Sequence, residues 1–421
     1  MKKILLTAAC LLLLTGCARD DTLYYLPETE ETVPAETDAF TPLPHQLGAT
    51  PFEYTETGDR PAANPGNSAK QTGFKCSGDY LYFYGDTIRR YNPVTGNVTY
   101  LCSDPLCTHG TECPFMGMSP IKSLYVHNNQ VNYEQFGYVP VEGVNGTEYE
   151  LVERKMRFDI EKQTSKVVFD YIRDGIEYSG GRAVDDYYAG EYYYYLHHVL
   201  DERERLNYEM RRENLETGKI EVLRELGEIP AVIHYADSDW VYYMHGAEIF
   251  RMRTGNPAET EKLTDMIIQD VACDGENFYY RLREDGVDRI YRFDMNLENR
   301  ECLIDEDVDY MYLTEQYLYY VPAQNVRIGE RDVKCANDIY RWNKADGTAE
   351  CVYSLPENMR EASYAIGYSF TVCGNYIYAG YMRYDEAEHG IAESGGDDGN
   401  EYIRINIETG DLYYITYGNA G

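Results

Sequence analysis

From about Gly73 to Thr416 the chain alternates short apolar or aromatic runs with Asp/Asn/Gly turns, and Ile267–Ile304 shows the unit most clearly. An apolar run ends in Val271-Ala272-Cys273, followed by the tight turn Asp274-Gly275-Glu276. Next come an aromatic run, Asn277–Leu282, and an alternating run, Asp288–Asp294. A polar turn then leads to Arg300–Ile304. Alternation with a period of two puts one side of each run in a core, and runs this short between turn formers are strands, not helices. Four such strands repeated along a chain describe one blade of a β-propeller.

The aromatic second strand of the unit recurs near Tyr80, Val131, Tyr192, Trp240, Phe278, Tyr317 and Tyr376, which predicts seven four-stranded blades. Most copies are followed by an alternating third strand and a turn such as Thr95-Gly96, Thr217-Gly218, Asp346-Gly347 or Thr409-Gly410. The copies at Val131 and Tyr192 match least well, so six or eight blades also fit. The spacing is uneven. Extra residues fall between second and third strands, at 137–148, 197–206, 323–337 and 383–399, and between blades, at 103–121 and 356–367. Both kinds of connection emerge on one face of a propeller because its strands alternate in direction. That face is expected to carry long loops, where function concentrates.

The pattern is absent at the start. Lys2 and Lys3 precede an apolar run, Ile4–Thr15, shorter than the roughly 17–25 residues of a spanning helix and suited to a signal peptide. Leu14-Thr15-Gly16-Cys17 closes it and resembles the lipobox of bacterial lipoproteins, in which the cysteine receives a diacylglycerol. Residues 1–16 are therefore expected to be removed, with Cys17 the membrane anchor on the extracellular face of the cell membrane. Residues 17–72 are rich in Pro, Thr, Glu and Ala and lack periodicity, which predicts a disordered stalk with a span of roughly 40 Å. The propeller is expected over 73–421.

Charge narrows the partners. The net charge of the 421-residue chain is −34, and loss of Lys2 and Lys3 makes the mature form more acidic still. Phosphate backbones would be repelled, so nucleic acid is excluded as a partner. The composition includes 44 Tyr against 12 Phe and 2 Trp. Tyrosine suits half-buried strands whose hydroxyls reach water, so most of these rings are expected to pack blades.

The Tyr-Tyr strand, the Ile-Tyr-Arg-x-Asp strand at Ile290–Asp294 and the Thr-Gly turn resemble those of TolB-like propellers. Together with the lipobox and Leu101-Cys102-Ser103-Asp104-Pro105-Leu106-Cys107-Thr108-His109, they resemble propeller lipoproteins of clostridial-type Gram-positive bacteria. The resemblance covers about residues 73–416 and the signal. It implies fold and surface location and brings no catalytic residues with it.

Candidate chemistry is sparse. Cys102, Cys107, His109 and Cys113 lie close together in sequence, and two readings stand. A Cys107–Cys113 disulfide would close the first interblade loop, or three thiolates and the imidazole would hold zinc. The disulfide is the reading taken. Cys76, Cys273 and Cys373 share one place at the end of a first strand, and Cys302 and Cys351 share another on fourth strands; all five read as buried packing residues. Asp397, Asp398 and Asn400 offer oxygen ligands in a Gly-rich loop, so weak calcium binding is the second metal reading. His197 and His198 are expected to be exposed at a strand end. No H-E-x-x-H, G-x-S-x-G or P-loop occurs, and no catalytic residue is assigned.

These readings predict a lipid-anchored surface protein whose long-loop face binds an extracellular glycan, peptide or protein. The alternative is a carbohydrate-active hydrolase or lyase using carboxylates at the propeller channel.

Overall fold

The structure is a computed structural model. It describes residues 59–64, 66, 74–77, 80–84, 88–92, 98–102, 124–127, 130–143, 146–173, 176–177, 187–200, 205–229, 231–323, 325–328, 331–334, 338–357, 364–385, 390–392 and 402–415.

Blade 1 comprises β1 (Phe74–Ser77), β2 (Tyr80–Tyr84), β3 (Ile88–Tyr91) and β4 (Val98–Tyr100). Blade 2 comprises β5 (Leu124–His127), β6 (Gln130–Gly143), β7 (Gly146–Asp159), β8 (Thr164–Arg173) and the short β9 (Ile176–Glu177). Blade 3 holds β10 (Tyr187–Ala189), β11 (Tyr192–Leu200), β12 (Leu206–Asn214) and β13 (Ile220–Gly227). Blade 4 holds β14 (Ala231–Ala236), β15 (Trp240–His245), β16 (Glu248–Arg253) and β17 (Thr260–Asp265). Blade 5 holds β18 (Ile268–Cys273), β19 (Asn277–Glu284), β20 (Val287–Asp294) and β21 (Glu301–Ile304). Blade 6 holds β22 (Val308–Leu313), β23 (Tyr317–Pro322), β26 (Asp338–Asn343) and β27 (Ala349–Ser354), with the separate hairpin β24 (Asn325–Ile328) and β25 (Arg331–Lys334) inserted. Blade 7 holds β28 (Tyr364–Cys373), β29 (Tyr376–Asp385), β31 (Tyr402–Asn406) and β32 (Leu412–Ile415), with β30 (Gly390–Ala392) paired to β29.

All neighbouring strands are antiparallel and follow chain order within each blade. The protein is an all-β propeller of seven blades. The second strands lie where the aromatic runs predict them, and the poorly matching copies at Val131 and Tyr192 are complete blades.

The turns follow from their polar residues. Asp237 and Asp274, between first and second strands, each accept two backbone N–H bonds through Oδ1, from residues two and three positions on, at 2.7–3.0 Å. Asn214 and Asn406 do the same between third and fourth strands, at 2.8–3.2 Å. Such Asx turns reverse the chain without a long loop. Gly218 and Gly410 complete those turns at φ of +70° and +73°, a region costly to a residue with a Cβ.

A further element recurs in every blade. Each third strand carries an arginine directly opposite the third residue of its second strand: Tyr82↔Arg90, Asn132↔Arg157, Tyr194↔Arg212, Tyr242↔Arg251, Tyr279↔Arg292, Tyr319↔Arg341 and Tyr378↔Arg404. In five blades the guanidinium stacks over the aromatic ring that starts the second strand, as Arg212 over Tyr192 at 4.7 Å, Arg251 over Trp240 at 4.7 Å and Arg341 over Tyr317 at 4.4 Å; Arg157 and Arg292 lie over Tyr193 and Trp342 of the next blade instead. A fourth-strand carboxylate often completes the set, as Glu221 does for Arg212 at 2.7 Å. The same arginines reach the next blade. Arg157 donates to Glu213 (2.9 Å), Arg212 to the Thr254 carbonyl (3.1 Å), Arg251 to Asn296 (2.8 Å) and Arg404 to the Tyr91 hydroxyl (2.9 Å). These bonds cross the 2–3, 3–4, 4–5 and 7–1 seams. One residue type thus serves both the blade and the ring.

Packing between blades is mostly apolar and aromatic. One cluster joins blades 3, 4 and 5 through Leu196, Met210, Ile233, Val241, Ile249, Phe278 and Tyr280. The 2–3 seam differs. Tyr125, Tyr188, Tyr193 and Tyr195 stack in succession at centroid distances of 4.2, 4.6 and 4.9 Å. Buried Lys155 and Arg157 lie over Tyr193 at 5.0 and 5.3 Å, with Glu213 as the arginine's carboxylate partner.

The last seam joins blade 7 to blade 1. Cys76 and Cys373 form a disulfide across it, with Cα atoms 6.1 Å apart and 297 residues between them in sequence. This corrects the expectation that both are buried thiols. Thr371 donates to the Phe74 carbonyl (2.9 Å), and Phe74, Phe83, Tyr91 and Tyr378 pack beside the bridge. Among the described residues, no strand is exchanged between the terminal blades.

Residues ahead of the expected start at 73 also bond to the ring. Residues 59–64 form a strap along the ends of the first strands. Asp59 O accepts from Gly374 N (3.0 Å) in blade 7, and Arg60 O from Glu315 N (2.8 Å) in blade 6. Asn64 exchanges two backbone bonds with Cys273 (3.0 and 2.8 Å) in blade 5. Its side-chain amide reaches the His234 carbonyl in blade 4, and Ala63 O accepts from the Tyr187 hydroxyl (3.0 Å) in blade 3.

Candidate functional site

The two faces of the ring differ. First-to-second and third-to-fourth turns share one face, which the strap crosses at the hub. The other face receives the second-to-third connections and the crossings between blades. Of the extra residues expected there as loops, 103–121 and 358–363 lie outside the described residues, and those described are largely hairpins. β6 and β7 stay paired from Gln130↔Asp159 to Gly143↔Gly146. β6 is 14 residues long against 6 for β15, so at about 3.3 Å per residue the blade 2 hairpin reaches roughly 25 Å farther. Blade 3 keeps its pairing to Leu200↔Leu206, blade 6 carries β24–β25, and blade 7 carries β30 on β29. In contrast, blades 4 and 5 turn within two residues, Gly246-Ala247 and Asp285-Gly286. Hairpins of blades 2–3 and 6–7 thus stand on either side of a low sector at blades 4 and 5.

The hub mouth in this low sector is polar. Inner strands β14, β18 and β22 each contain a bulge, at Ile233/Tyr235, Ile268/Asp270 and Val308/Tyr310. A bulge drops one residue from the ladder and re-aims the side chains around it. Here the residues dropped are His234, Gln269 and Asp309. His234 lies deeper, where its carbonyl meets the strap's Asn64, and is buried with its Nδ1 3.3 Å from the Tyr280 hydroxyl; Gln269 and Asp309 lie at the mouth, exposed and half-buried.

Next to them, buried Asp288 receives Arg283 through two bonds (2.8 and 2.9 Å) and Arg281 at 3.4 Å. Arg281 also donates to the Val308 carbonyl (3.1 Å), and Asp307 accepts the Asp288 N–H (2.8 Å). Asp288 and the neighbouring Asp307 and Asp309 hold the Arg283 guanidinium charged. Burial drives the Tyr310 hydroxyl pKa far up. The result is a fixed carboxylate–arginine rim between blades 5 and 6. It offers charge recognition but no nucleophile with an adjacent base.

The sequence-predicted sites fare unevenly. Cys17, Cys107, His109, Cys113, Asp397, Asp398 and Asn400 lie outside the described residues. Cys102 is a free thiol, half-buried against the cluster of Leu101, Leu124 and Val131. Among the described residues, no group of three or more His, Cys, Asp or Glu is arranged to hold a metal ion. Cys273 is buried, as expected, and burial pushes its thiol pKa far up. Cys302 and Cys351 are exposed, against expectation, because the fourth strand is the outermost of its blade. His197 sits inside β11 and is half-buried, its ring edge-on to Tyr195 at 6.5 Å, because the strand continues to Leu200. The strap, the ring disulfide and the arginine series are absent from the sequence reading. Only the last left a signal, the Arg-x-Asn/Asp triplets at Arg90, Arg157, Arg212, Arg292, Arg341 and Arg404.

No protein-family model matches the chain, and no curated protein matches it. Solved structures similar to it are propellers at low identity. The β-propeller domain of the Trilobed protease from Pyrococcus furiosus, with an open velcro topology, is 11% identical, with 84% of this chain and all of that one covered, at a TM-score of 0.48. An oligogalacturonate lyase in complex with manganese is 12% identical, with 80% and 84% covered, at 0.43. TolB from Acinetobacter baumannii is 12% identical, with 68% and 69% covered, at 0.33. The propeller assignment rests on this chain's own sheet order.

Proposed function

We propose that this propeller is a binding protein of the cell surface, anchored through Cys17, whose hairpin face engages an extracellular glycan, peptide or protein. The observation that carries the reading is the asymmetry of the two faces. The strap occupies the hub on one face, while hairpins flank polar residues of the inner strands on the other. The strap, at 59–64, lies on the face opposite the hairpins. Rigid hairpins on a closed ring hold a recognition surface at low conformational cost.

Two experiments test the parts separately. Joining Gln135 to Arg154 through Asn-Gly removes the blade 2 arm while keeping the ring pairs. The variant should retain the near-ultraviolet circular dichroism of the parent and lose at least tenfold in affinity for whatever a glycan array or surface pull-down captures. Capture unchanged by this truncation, or turnover of a polysaccharide with no stable binding, would overturn the reading. For the anchor, Cys17→Ala should release the protein into the medium or leave its signal uncleaved. A variant that stays processed and membrane-bound would refute it.

A further inference from the structure

Two large aliphatic side chains stand in water on the hairpin face. Ile267 is 75% exposed and Ile229 is 53% exposed. Each occupies a crossing between blades, Ile267 directly before inner strand β18 and Ile229 two residues before β14. They sit in successive crossings, one position apart when counted from the equivalent first strand residues Ala231 and Ile268. The second-to-third turns of blades 4 and 5 are two residues long. Isolated exposed aliphatics are ordinary, but two in successive crossings on one face are a candidate contact patch.

The patch has an acidic surround. Glu228 precedes Ile229, Asp265 lies two residues before Ile267, and Asp305, Glu306 and Asp307 fill the corresponding crossing into blade 6. Asp305 is 81% exposed, and Gln269 and Asp309 lie just inside the mouth. Local bases do not balance these charges. Lys262 alone serves both Glu248 (2.5 Å) and Asp265 (2.8 Å), while Arg205 is paired with Glu228 and Arg289 with Asp305. The chain's net charge of −34 extends the same sign beyond the patch.

We infer that the hub mouth of blades 4–6 docks a basic polypeptide segment carrying aliphatic or aromatic side chains. The apolar residues would cover Ile229 and Ile267, and lysines or arginines would face the acidic crossings. Charge decides the class of occupant. A phosphorylated ligand or an anionic lipid surface would meet the wrong sign, and a neutral glycan would leave the field unused. This inference rests on the hairpin face being the binding face and adds the chemistry of its partner.

The test uses the full-length protein as bait for a displayed random-peptide library, with selected peptides measured by fluorescence anisotropy. Enriched peptides should combine Lys or Arg with Ile, Leu, Val or aromatic residues. Their affinity should fall at least tenfold in the Ile229→Ser/Ile267→Ser variant and weaken further with salt. It should be unchanged by Ile220→Ser/Val222→Ser, which removes exposed aliphatics on the outer strand of blade 3. No enrichment of such peptides, or binding indifferent to the Ile229/Ile267 variant, overturns the inference. If capture depends on the blade 2 arm but not on Ile229 and Ile267, the face reading stands and the hub-mouth inference falls. Indifference to both defeats both.

Discussion

At the scale of residues, the ring depends on how arginine is used. The third-strand arginines draw on an aromatic ring, a fourth-strand partner and the next blade, and Arg212 and Arg251 use all three. Its planar fork can satisfy all three, whereas a lysine offers a point charge on a flexible stem. Exposure varies with the seam. Arg157 and Arg404 are each 3% exposed, whereas the Arg292 side chain is 33% exposed. The buried pair should therefore matter most. Arg404 lies between Tyr376 (4.8 Å) and Tyr413 (4.7 Å) and donates to Tyr91, whose hydroxyl pKa burial pushes up to about 12 against the pull of the arginine. Arg404→Ala removes those contacts together with a charged donor to a buried hydroxyl, so it should cost about 2–4 kcal/mol of unfolding free energy. Arg292→Ala should cost under about 1 kcal/mol, because its carboxylate partner is half in water. Denaturant unfolding of both variants checks the order.

At the scale of elements, local patterning identified strands better than their length. The 137–148 stretch reads as a loop because it adds residues between two recognisable strands, yet β6 and β7 keep pairing through it. Period-two alternation tells which face a residue takes but not where the partner strand stops. The strap is the opposite case. Its residues carry no apolar period and look disordered, but backbone bonds to the ring hold them, and those are invisible in side-chain composition. Asp59 makes the docking sensitive to pH. Burial raises its carboxyl pKa above the ordinary 3.8, although the Thr314 hydroxyl and the Gln316 N–H pull it back. A carboxyl with a raised folded pKa binds its proton more tightly when docked. Docking should therefore strengthen as pH falls through that raised value, level off below 3.8, and weaken as pH rises again. Amide exchange at Cys273, Glu315 and Gly374, which donate to the strap, should show protection growing from pH 7 towards pH 4 after correction for intrinsic rates. Asp59→Asn should abolish the trend, and a trend that survives it would assign the effect elsewhere.

At the scale of the whole molecule, the question is how seven similar blades form a closed ring. Blades built from consecutive strands leave the first and last to meet without an exchanged strand. Here an apolar cluster, the Thr371 and Arg404 bonds and the Cys76–Cys373 bridge join them. A crosslink spanning most of the chain removes much of the freedom of the unfolded state, so its loss should cost about 2–5 kcal/mol. Cys76→Ser/Cys373→Ser should lower the unfolding midpoint accordingly, with a reductant-treated parent matching it. Reduction should add two more hydrogens to the mass of the parent than to that of the variant. Equal midpoints for parent and variant would show that the noncovalent seam suffices.

The sequence by itself determined the architecture. Alternation and the Asp/Asn/Gly turns are local properties, each blade repeats them, and seven aromatic runs become seven blades. It also located the decorated face, because strand direction follows from counting. Only the tertiary structure decided what lies far apart in the chain: the partnership of Cys76 with Cys373, the strap's course across five blades and the bonds of Arg157, Arg212, Arg251 and Arg404 to the next blade. Equivalent positions in a repeat look alike in sequence. The ring makes them differ, since Cys76 and Cys373 meet at its closing seam while Cys273 stays buried in an unbroken one.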